Sequence, residues 1–400
     1  MAIRNIIRHK RRSLFTGLGM GFGCMLLSIS VCISEGSYTE IIKLFTENQI
    51  GHVQIHWEDY LSDPSLYKSI LGFEEIQKKL DTLPYIKSST PRVHTGGLCY
   101  LNNKTFGLQI KGVDPIRENA STQIKKKLSI NQYFSSDHSY EIIVAEKIMK
   151  VLQAKIGDDL VVITQAADGS ISNDYFKIIN FIPTDKLGDE VNVGFVPLKT
   201  IQEFLEMKGR IHEFSIVGNG KYGARKMAQK IKSELNNKGL DIQPWQVIRK
   251  DFFEAMQLDI RGNYITLGII IFIVSLGVFN TVLMSVLERT REFGVLKALG
   301  TRPLQIFLLI IIEITLLSIF ASVLGLFFAS LGNAYFTYVG IDLTYPMEYG
   351  GITFKSLKGI INFYVFAMPF FVVVGVAIAV GVWPGIRAAR VIPVKALRSV

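Results

Sequence analysis

Four long apolar stretches constrain this 400-residue chain more than any other feature of its sequence. Each is long enough to cross a hydrocarbon layer roughly 30 Å thick as a single helix. They are Leu14 to Ile33, Tyr264 to Leu287, Leu304 to Leu331, and Phe363 to Val382. Residues 34–263, between the first and second stretches, have mixed polarity and can form a sizeable folded domain. The sequence therefore predicts a membrane protein with four transmembrane helices and a large domain between helices 1 and 2.

The positive charge of the chain is concentrated beside the predicted helices. The net charge is +10, yet residues 34–263 hold equal numbers of acidic and basic residues. The flanking basic residues are Arg4, Arg8, Lys10, Arg11 and Arg12, then Arg289, Arg291, Lys297 and Arg302, and finally Arg387, Arg390, Lys395 and Arg398. Because cytoplasmic segments carry an excess of Lys and Arg, both termini and the connection between helices 2 and 3 are predicted to be cytoplasmic. The large domain is then extracytoplasmic, and the charge does not indicate nucleic-acid binding.

The beginning of the chain has some features of a secretory signal. Arg11 and Arg12 precede an apolar run, but that run is too long for a usual signal peptide, and the surroundings of Cys24 and Cys32 match a lipoprotein signal poorly. We therefore expect an uncleaved first helix. Cys99 is the only cysteine in the large domain, so no disulfide framework is predicted.

A strand, helix, strand pattern occurs near both ends of the large domain. The pattern is His52 to His56, Phe73 to Leu83 and Ile86 to His94, and again Glu213 to Val217, Ala224 to Leu235 and Leu240 to Val247. Two such βαβ units are expected to pack together as one α+β sandwich. A subdomain at about 120–200 would be inserted between them, containing a hairpin of Asp159 to Thr164 and Tyr175 to Ile182.

Helical spacing of apolar residues continues beyond the first apolar stretch and precedes the second. Glu35 to Phe45 and Asp251 to Gly262 are therefore predicted to extend helices 1 and 2 as a stalk that carries the outer domain, although flexible linkers are the alternative. The predicted divisions are 1–45 for the amino terminus, helix 1 and its stalk, 46–250 for the extracytoplasmic α+β domain, and 251–400 for the second stalk, helices 2 to 4 and the carboxyl terminus.

Nucleotide-binding motifs are absent or unconvincing. Gly218, Gly220 and Gly223 have the GxGxxG spacing, but no doubly wound parallel sheet is predicted around them, so a strand-to-helix turn explains them better. No GxxxxGK[ST] sequence occurs in the chain. We therefore expect no ATP site, and no other cofactor, in this chain.

The histidines of the large domain do not form a recognisable metal motif. His52 and His56 would share one face of a strand, but no third and fourth ligands can be assigned beside them, and His94 and His212 are distant in sequence. No Ser/His/Asp or paired-carboxylate arrangement is evident either. We expect neither a metal site nor catalytic residues, so the chain is predicted not to be an enzyme.

Polar and small residues within the apolar stretches indicate helix packing. Gly17, Gly19, Gly21 and Gly23 allow close approach of another helix, which belongs either to this chain or to a second subunit. Glu313 is a costly carboxylate inside the third stretch. Asn280 has a similar depth in the antiparallel second stretch, so we predict a hydrogen bond between Asn280 and Glu313.

The connection between helices 2 and 3 is predicted to be a short amphipathic helix from Glu288 to Gly300. Phe293, Leu296 and Leu299 share one face, Gly300 ends the helix, and Pro303 begins the next one. Such a helix is either an interfacial anchor or a coupling helix for a cytoplasmic ATPase. In the coupling interpretation, Phe293 and Leu296 enter a groove on the ATPase, and Arg289, Arg291 and Glu292 set the orientation by charge.

This connection resembles the signature of FtsX-like ABC permeases. The residues that match are Glu288, Arg289, Arg291, Glu292, Phe293, Gly294, Leu296, Lys297, Ala298, Leu299 and Gly300. The tail from Trp383 to Arg398 is similar to the end of the same family, except that Ile392 and Lys395 stand where Asp and Glu are usual. Gly51 to His56 and Gly112 to Pro115 resemble the lipoprotein-releasing LolC/LolE branch and its MacB-like relatives.

The resemblance implies a mechanotransmission permease of the bacterial inner membrane, with its large domain in the periplasm. It implies a cytoplasmic ABC ATPase dimer that binds ATP and Mg, a second permease subunit, a lipoprotein substrate and a periplasmic carrier as partners. Acyl chains would follow an apolar path near Leu26, Leu27, Ile29, Leu267, Ile270 and Ile271. MacB-like export of peptides or drugs and FtsX-like control of cell-wall hydrolases are the alternatives.

Overall fold

The computed structural model describes residues 10–186, 191–349 and 352–392. Among these residues, four helices are long and apolar enough to cross a membrane, which confirms the four predicted spans. They are α1 (Lys10–Phe45), α8 (Lys250–Glu288), α10 (Pro303–Tyr338) and α11 (Phe363–Ala389). Arg4, Arg8 and the tail from Pro393 onward, including Lys395 and Arg398, lie outside the described residues.

The remaining helices and strands are shorter. The helices are α2 (Phe73–Thr82), α3 (Pro115–Thr122), α4 (Glu146–Leu152), α5 (Leu198–Phe204), α6 (Ala224–Leu235), α7 (Trp245–Ile248) and α9 (Thr290–Ala298). The strands are β1 (Val53–Trp57), β2 (Ile70–Leu71), β3 (Ile86–Leu101), β4 (Lys104–Val113), β5 (Glu141–Ala145), β6 (Asp159–Gln165), β7 (Ile171–Ile182), β8 (Val193–Pro197), β9 (Arg210–Ile211), β10 (Glu213–Gly218), β11 (Leu240–Pro244), β12 (Ile341–Tyr349) and β13 (Ile352–Leu357).

The chain divides into two compact units. The helical unit comprises Met1–Thr39, Gln257–Leu343 and Ser356–Val400, and the outer unit comprises Glu40–Met256 and Thr344–Lys355. Helices α1 and α8 extend past their apolar stretches, as the sequence predicted. Within the outer unit their ends meet where Phe45 stacks on Phe252 at 4.6 Å between ring centroids. The function of these extensions as a stalk stays a prediction.

The outer unit is built on a nine-stranded sheet with the order β11-β1-β10-β3-β4-β8-β5-β7-β6. The two predicted βαβ repeats are present, but they do not pack as separate layers. Strand β1 of the first repeat lies between β10 and β11 of the second, and all these pairings are antiparallel. The repeats therefore interleave into one sheet, the arrangement of a split βαβ fold.

The inserted subdomain is larger than predicted. The second half of β3 pairs with β4 and also with β6, so strands β3, β4, β8, β5, β7 and β6 close into a ring. The predicted hairpin is confirmed as antiparallel β6 and β7. Because β3 runs unbroken for 16 residues, the ring begins well before residue 120 and shares β3 with the interleaved sheet.

Two short motifs of the sequence have local structural causes. Gly51 has φ +82°, and a side chain there would meet the backbone of Ile216, so only glycine fits the approach to β10. Asp114 caps α3, since its Oδ1 accepts hydrogen bonds from the backbone N–H of Ile116 and of Arg117 at 3.0 Å, and Pro115 follows at the first helical position.

The helical unit is held together by close backbone contacts and buried polar groups. Asn333 Nδ2 donates to Ser28 Oγ at 3.0 Å, and Ser28 Oγ donates to the Val365 carbonyl oxygen at 3.0 Å. These bonds connect α1, α10 and α11 where the surroundings offer little water. Polar contacts of this kind fix the register of packed spans.

Candidate functional site

The segment between α8 and α10 folds as the predicted short helix. Arg289 leaves the helical conformation at φ −98° and ψ 12°, so α9 starts as a separate helix at Thr290. Gly300 adopts φ +93°, and its N–H and that of Thr301 bond back to the Lys297 and Leu296 carbonyl oxygens. This glycine therefore ends α9, and Pro303 begins α10, as the sequence predicted.

Phe293 faces inward, contrary to its predicted entry into an ATPase groove. Its side chain is 1% exposed and belongs to the apolar core formed with residues of the four spans. Gly294 is also buried, and Leu296 is partly buried against the same core. In this conformation Phe293 anchors α9 to its own chain and offers no surface to another protein.

Arg289 is likewise turned into the protein. Its Nη1 lies 3.0 Å from Glu313 Oε2 and its Nε lies 2.9 Å from Glu292 Oε2, with only 8% of the side chain exposed. The guanidinium also lies over the Phe293 ring at 5.1 Å. Arg289 is therefore not a free rim charge, and removing one partner of such a buried pair typically costs about 3–5 kcal/mol.

The predicted hydrogen bond between Asn280 and Glu313 is wrong. Glu313 pairs with Arg289 instead, and the Asn280 side chain is exposed on the surface of α8. The prediction compared depths along the helix axes only. A long arginine side chain reaches the carboxylate from the end of the neighbouring helix and supplies the opposite charge that a buried acid requires.

Lys297 connects the other end of α9 to the last span. Its Nζ donates hydrogen bonds to the backbone carbonyl oxygens of Ala389 at 3.0 Å and of Val391 at 2.9 Å. These carbonyl groups lie at the carboxyl end of α11, where a cation is favoured by the helix dipole. Lys297 is half-buried, so it too contributes to anchoring.

The opposite side of this segment is open. Leu299 is 79% exposed and Val295 is 43% exposed, although both are apolar. The exposed residues of the segment are Glu288, Arg291, Glu292, Val295, Ala298, Leu299 and Gly300. They recur at helical spacing, so they form one face, which we name the outer face of α9. An apolar stripe with charges beside it is typical of a surface that binds a partner protein.

Three of the four glycines in the first span contact helices of the same chain. Gly17 lies near Leu317, Gly21 lies against the Ala321 backbone, and Gly23 lies against the Val274 side chain. Nothing lies within 4 Å of the position that a Gly19 side chain would occupy. Packing within the chain therefore accounts for Gly17, Gly21 and Gly23, and only Gly19 is open to another molecule.

The predicted substrate path is only partly accessible. Leu27 and Leu267 are buried in the core of the helical unit, so they line no path in this conformation. Ile29 and Ile271 are partly buried. An apolar groove of about 380 Å³ lies between α1 and α8, and Leu26 and Ile270 both line it. Sequence spacing alone could not separate groove residues from core residues, since both kinds are apolar.

The outer unit contains a buried network of charges that the sequence did not indicate. Arg92 bonds to Glu118 at 2.7 Å and to Glu213 at 3.0 Å, and Glu213 also pairs with His94 at 3.0 Å. Burial opposes ionisation of Glu213, but the nearby His94 and Arg92 charges hold its pKa well below the usual value. Among the described residues no group of three His, Cys, Asp or Glu side chains could hold a metal ion.

His212 gives this network a predictable pH dependence. Burial lowers the pKa of His212 from 6.5 to about 4, and its Nδ1 accepts a hydrogen bond from the His94 N–H at 3.0 Å. A depressed pKa stabilises the folded state above pH 6.5, and that stabilisation is lost as the pH falls towards 4. For His212 alone we expect a loss on the order of 3 kcal/mol.

Chemical denaturation of the purified chain between pH 7 and pH 4.5 measures this loss. With Trp383→Phe, the remaining Trp57 and Trp245 report on the outer unit alone. The His212→Gln variant should show a flatter pH profile, whereas His138→Gln, at an exposed position, should keep the parental slope. Equal slopes for both variants would contradict the assignment to His212.

Part of this chain matches a known protein family. Residues 264–393 match the family described as FtsX-like permease C-terminal, a segment that includes α9, α10, α11 and most of α8. The chain therefore carries an FtsX-like permease domain over this range, together with four long apolar helices among its described residues. Its homologues include proteins named MacB and LolC.

The particular relatives differ in how much of each protein is matched. The chain is 23% identical over 415 residues to the macrolide export ATP-binding/permease protein MacB of Pasteurella multocida, covering 99% of this chain and 59% of that protein. It is 18% identical over 333 residues to the lipoprotein-releasing system transmembrane protein LolC of Neisseria meningitidis, covering 80% and 78%. The chain thus spans about three fifths of the first curated relatives it matches.

A solved structure is also similar. It is the periplasmic region of MacB from Actinobacillus actinomycetemcomitans, which is 15% identical and matches 50% of this chain and 91% of that structure, with a TM-score of 0.36.

Proposed function

We propose that this chain is the permease subunit of an ABC transporter that works by mechanotransmission. A cytoplasmic ATPase dimer binds the outer face of α9, ATP hydrolysis displaces α9, and the spans pass the movement to the outer unit. A second permease subunit, identical or paralogous, completes the complex in the bacterial inner membrane, with the outer units in the periplasm. The observation that supports this proposal is the exposed apolar stripe of Val295 and Leu299 on α9, whose other side is packed into the core of the helical unit.

The ATPase is expected on another polypeptide. The 400 residues contain no GxxxxGK[ST] sequence, and we propose that a separate ATPase subunit supplies a phosphate-binding loop of that kind. ATP and Mg then belong to the partner, and this chain contributes the receiving helix. A paired helix and groove is a common way to transmit such a contact.

We further propose that the substrate is a lipoprotein, extracted from the inner membrane for transfer to a periplasmic carrier. The groove between α1 and α8 supports this choice, since its apolar lining suits an acyl chain, and nothing lies within 4 Å of the side-chain positions of Gly19 and Gly277 in its wall. Exposing a chain of about 15 methylenes to water costs on the order of 12 kcal/mol, so extraction requires an apolar shelter. The match to LolC over most of both proteins supports the same choice.

Export of periplasmic peptides or drugs is the second candidate. It is favoured by matches to several MacB proteins, two of which cover 99% and 100% of this chain. Control of a cell-wall hydrolase, as in FtsX-like regulators, is a further alternative in which nothing is transported. The three functions differ in what leaves the membrane when ATP is hydrolysed.

Reconstitution separates these functions. The complex purified from native membranes is placed in proteoliposomes with a triacylated lipoprotein, and soluble lipoprotein is measured with and without ATP and a carrier. We expect ATP-dependent release that falls at least tenfold in Gly277→Phe, because the phenyl ring fills the groove from α8. ATP-dependent transport of peptides or macrolides, without lipoprotein release, would instead establish the export function.

A further inference from the structure

Two side chains tie α9 to spans that come later in the chain. Arg289, at the start of α9, reaches Glu313 in α10, and Lys297, in its last turn, reaches the Ala389 and Val391 carbonyl groups at the end of α11. We name these contacts the Glu313 latch and the Lys297 latch. They lie at opposite ends of α9, so together they restrain both its translation and its rotation.

The Glu313 latch is built to resist opening. Glu313 lies about ten residues inside α10, in an apolar stretch, and Arg289 has only 8% of its side chain exposed. Sliding α9 along α10 would leave Glu313 without its cationic partner in a region with little water, and Arg289 would keep only the half-exposed Glu292 of its own segment. The Phe293 ring, buried beneath the guanidinium, adds packing to the same contact.

The Lys297 latch uses backbone acceptors instead of an ion pair. The last carbonyl groups of a helix have no partner within the helix, and Lys297 supplies hydrogen bonds of 3.0 and 2.9 Å to two such groups around the end of α11. Because the acceptors are backbone atoms, the contact follows the position of α11 and not the rotamer of one side chain.

We propose that Arg289 and Lys297 are positioning residues that make α9, α10 and α11 move as one lever when α9 is displaced. This inference rests on the proposed function, since it takes the displacement of α9 by an ATPase as its input. The outer face supplies the contact with the partner, and the two latches supply the transmission.

Spin labels test the transmission directly. Labels at Tyr264→Cys on α8 and Tyr338→Cys on α10 occupy positions that are 60% and 82% exposed, whereas the native Cys24, Cys32 and Cys99 are fully buried. The distance between labels is measured by electron spin resonance in the purified complex with its ATPase, with and without ATP. We expect an ATP-dependent change in the parental complex.

The variant removes both latches without leaving a buried charge: Arg289→Gln, Glu313→Gln and Lys297→Gln together. We expect it to keep the ATPase bound and to lose the ATP-dependent distance change. Arg390→Gln, which removes an exposed cation near the end of α11, is the matched control and should move like the parent. A separate variant carries the charge exchange Arg289→Glu with Glu313→Arg and keeps Lys297. It should show the ATP-dependent distance change that the triple variant loses, which a merely destabilised helix would not do.

Two failures are distinguishable. If the parental chain does not bind an ATPase, or its labels do not respond to ATP, the proposed function fails and this inference falls with it. If the parental complex responds and the triple variant responds equally while the ATPase stays bound, only the latch inference is overturned.

Discussion

Replacing Leu299 with Asp should abolish stable assembly with the ATPase. Leu299 is 79% exposed on the outer face of α9, where burial against a partner would remove it from water. Fully burying a Leu side chain typically contributes about 1.5–3 kcal/mol, and a buried unpaired carboxylate adds a further cost. We expect the dissociation constant to rise at least roughly thirtyfold, measured by titrating purified ATPase onto the permease in nanodiscs.

Ile392→Asp is the matched control for this experiment. Ile392 is 54% exposed and follows Val391, whose carbonyl oxygen accepts a hydrogen bond from Lys297 of α9; it stands where the permeases that this tail resembles usually have Asp. Its affinity for the ATPase should stay at the parental value. If Leu299→Asp binds as tightly as Ile392→Asp, the outer face of α9 is an interfacial anchor and the coupling proposal is wrong.

Phe293→Ala should behave differently from Leu299→Asp. Because Phe293 is buried in the core of its own chain, its loss leaves a cavity that typically costs about 3–5 kcal/mol. The reduction should therefore be in the thermal stability of the isolated permease, and only secondarily in ATPase binding. This contrast follows from the orientation of α9, which the sequence did not determine.

The orientation of α9 was unpredictable because apolar residues occur on both of its sides. Phe293 and Leu296 form one stripe, and Val295 with Leu299 forms another. Which stripe is buried depends on residues far away in sequence, such as Ile310 and Ile314 of α10. The span positions were predictable because length and composition alone decide them. Glu313 was correctly identified as needing a partner, because a carboxylate is costly in any apolar span. The identity of the partner, Arg289, was not predicted, because it depends on how the helices pack.

In the outer unit too, local sequence patterns predicted the helices and strands, whereas the pairing between distant strands was not predictable. Apolar spacing within each repeat predicted α2, α6 and the flanking strands, since these patterns are local. The pairing of β1 with β10 and β11 joins residues more than 150 positions apart, and nothing in the local pattern specifies it. The buried network around Arg92 arises only after these strands meet, which is why the histidines looked unremarkable in sequence.

Replacing a glycine at the contact between α1 and α10 should cause the second large effect, a loss of stability of the helical unit. A side chain at Gly325 would collide with the Gly21 backbone, and one at Gly21 would meet the Ala321 carbonyl oxygen at 2.9 Å. Since backbone atoms cannot rotate away, Gly325→Leu or Gly21→Leu has to separate the two helices and break the Asn333 to Ser28 hydrogen bond as well. We expect a loss of at least about 3 kcal/mol, the upper end of typical overpacking costs, and little folded protein.

Gly19→Leu makes this expectation sharp, because it adds the same side chain to α1, two residues before Gly21, at a position where nothing lies within 4 Å. Size-exclusion profiles and thermal stability of the detergent-extracted chain should be parental for Gly19→Leu and severely reduced for Gly325→Leu. Equal behaviour of the two variants would show that α1 does not pack on α10 through these glycines. If Gly19→Leu instead folds normally and loses only a second permease subunit from the complex, then the open glycine belongs to the subunit interface, while Gly21 and Gly325 belong to the fold of a single chain.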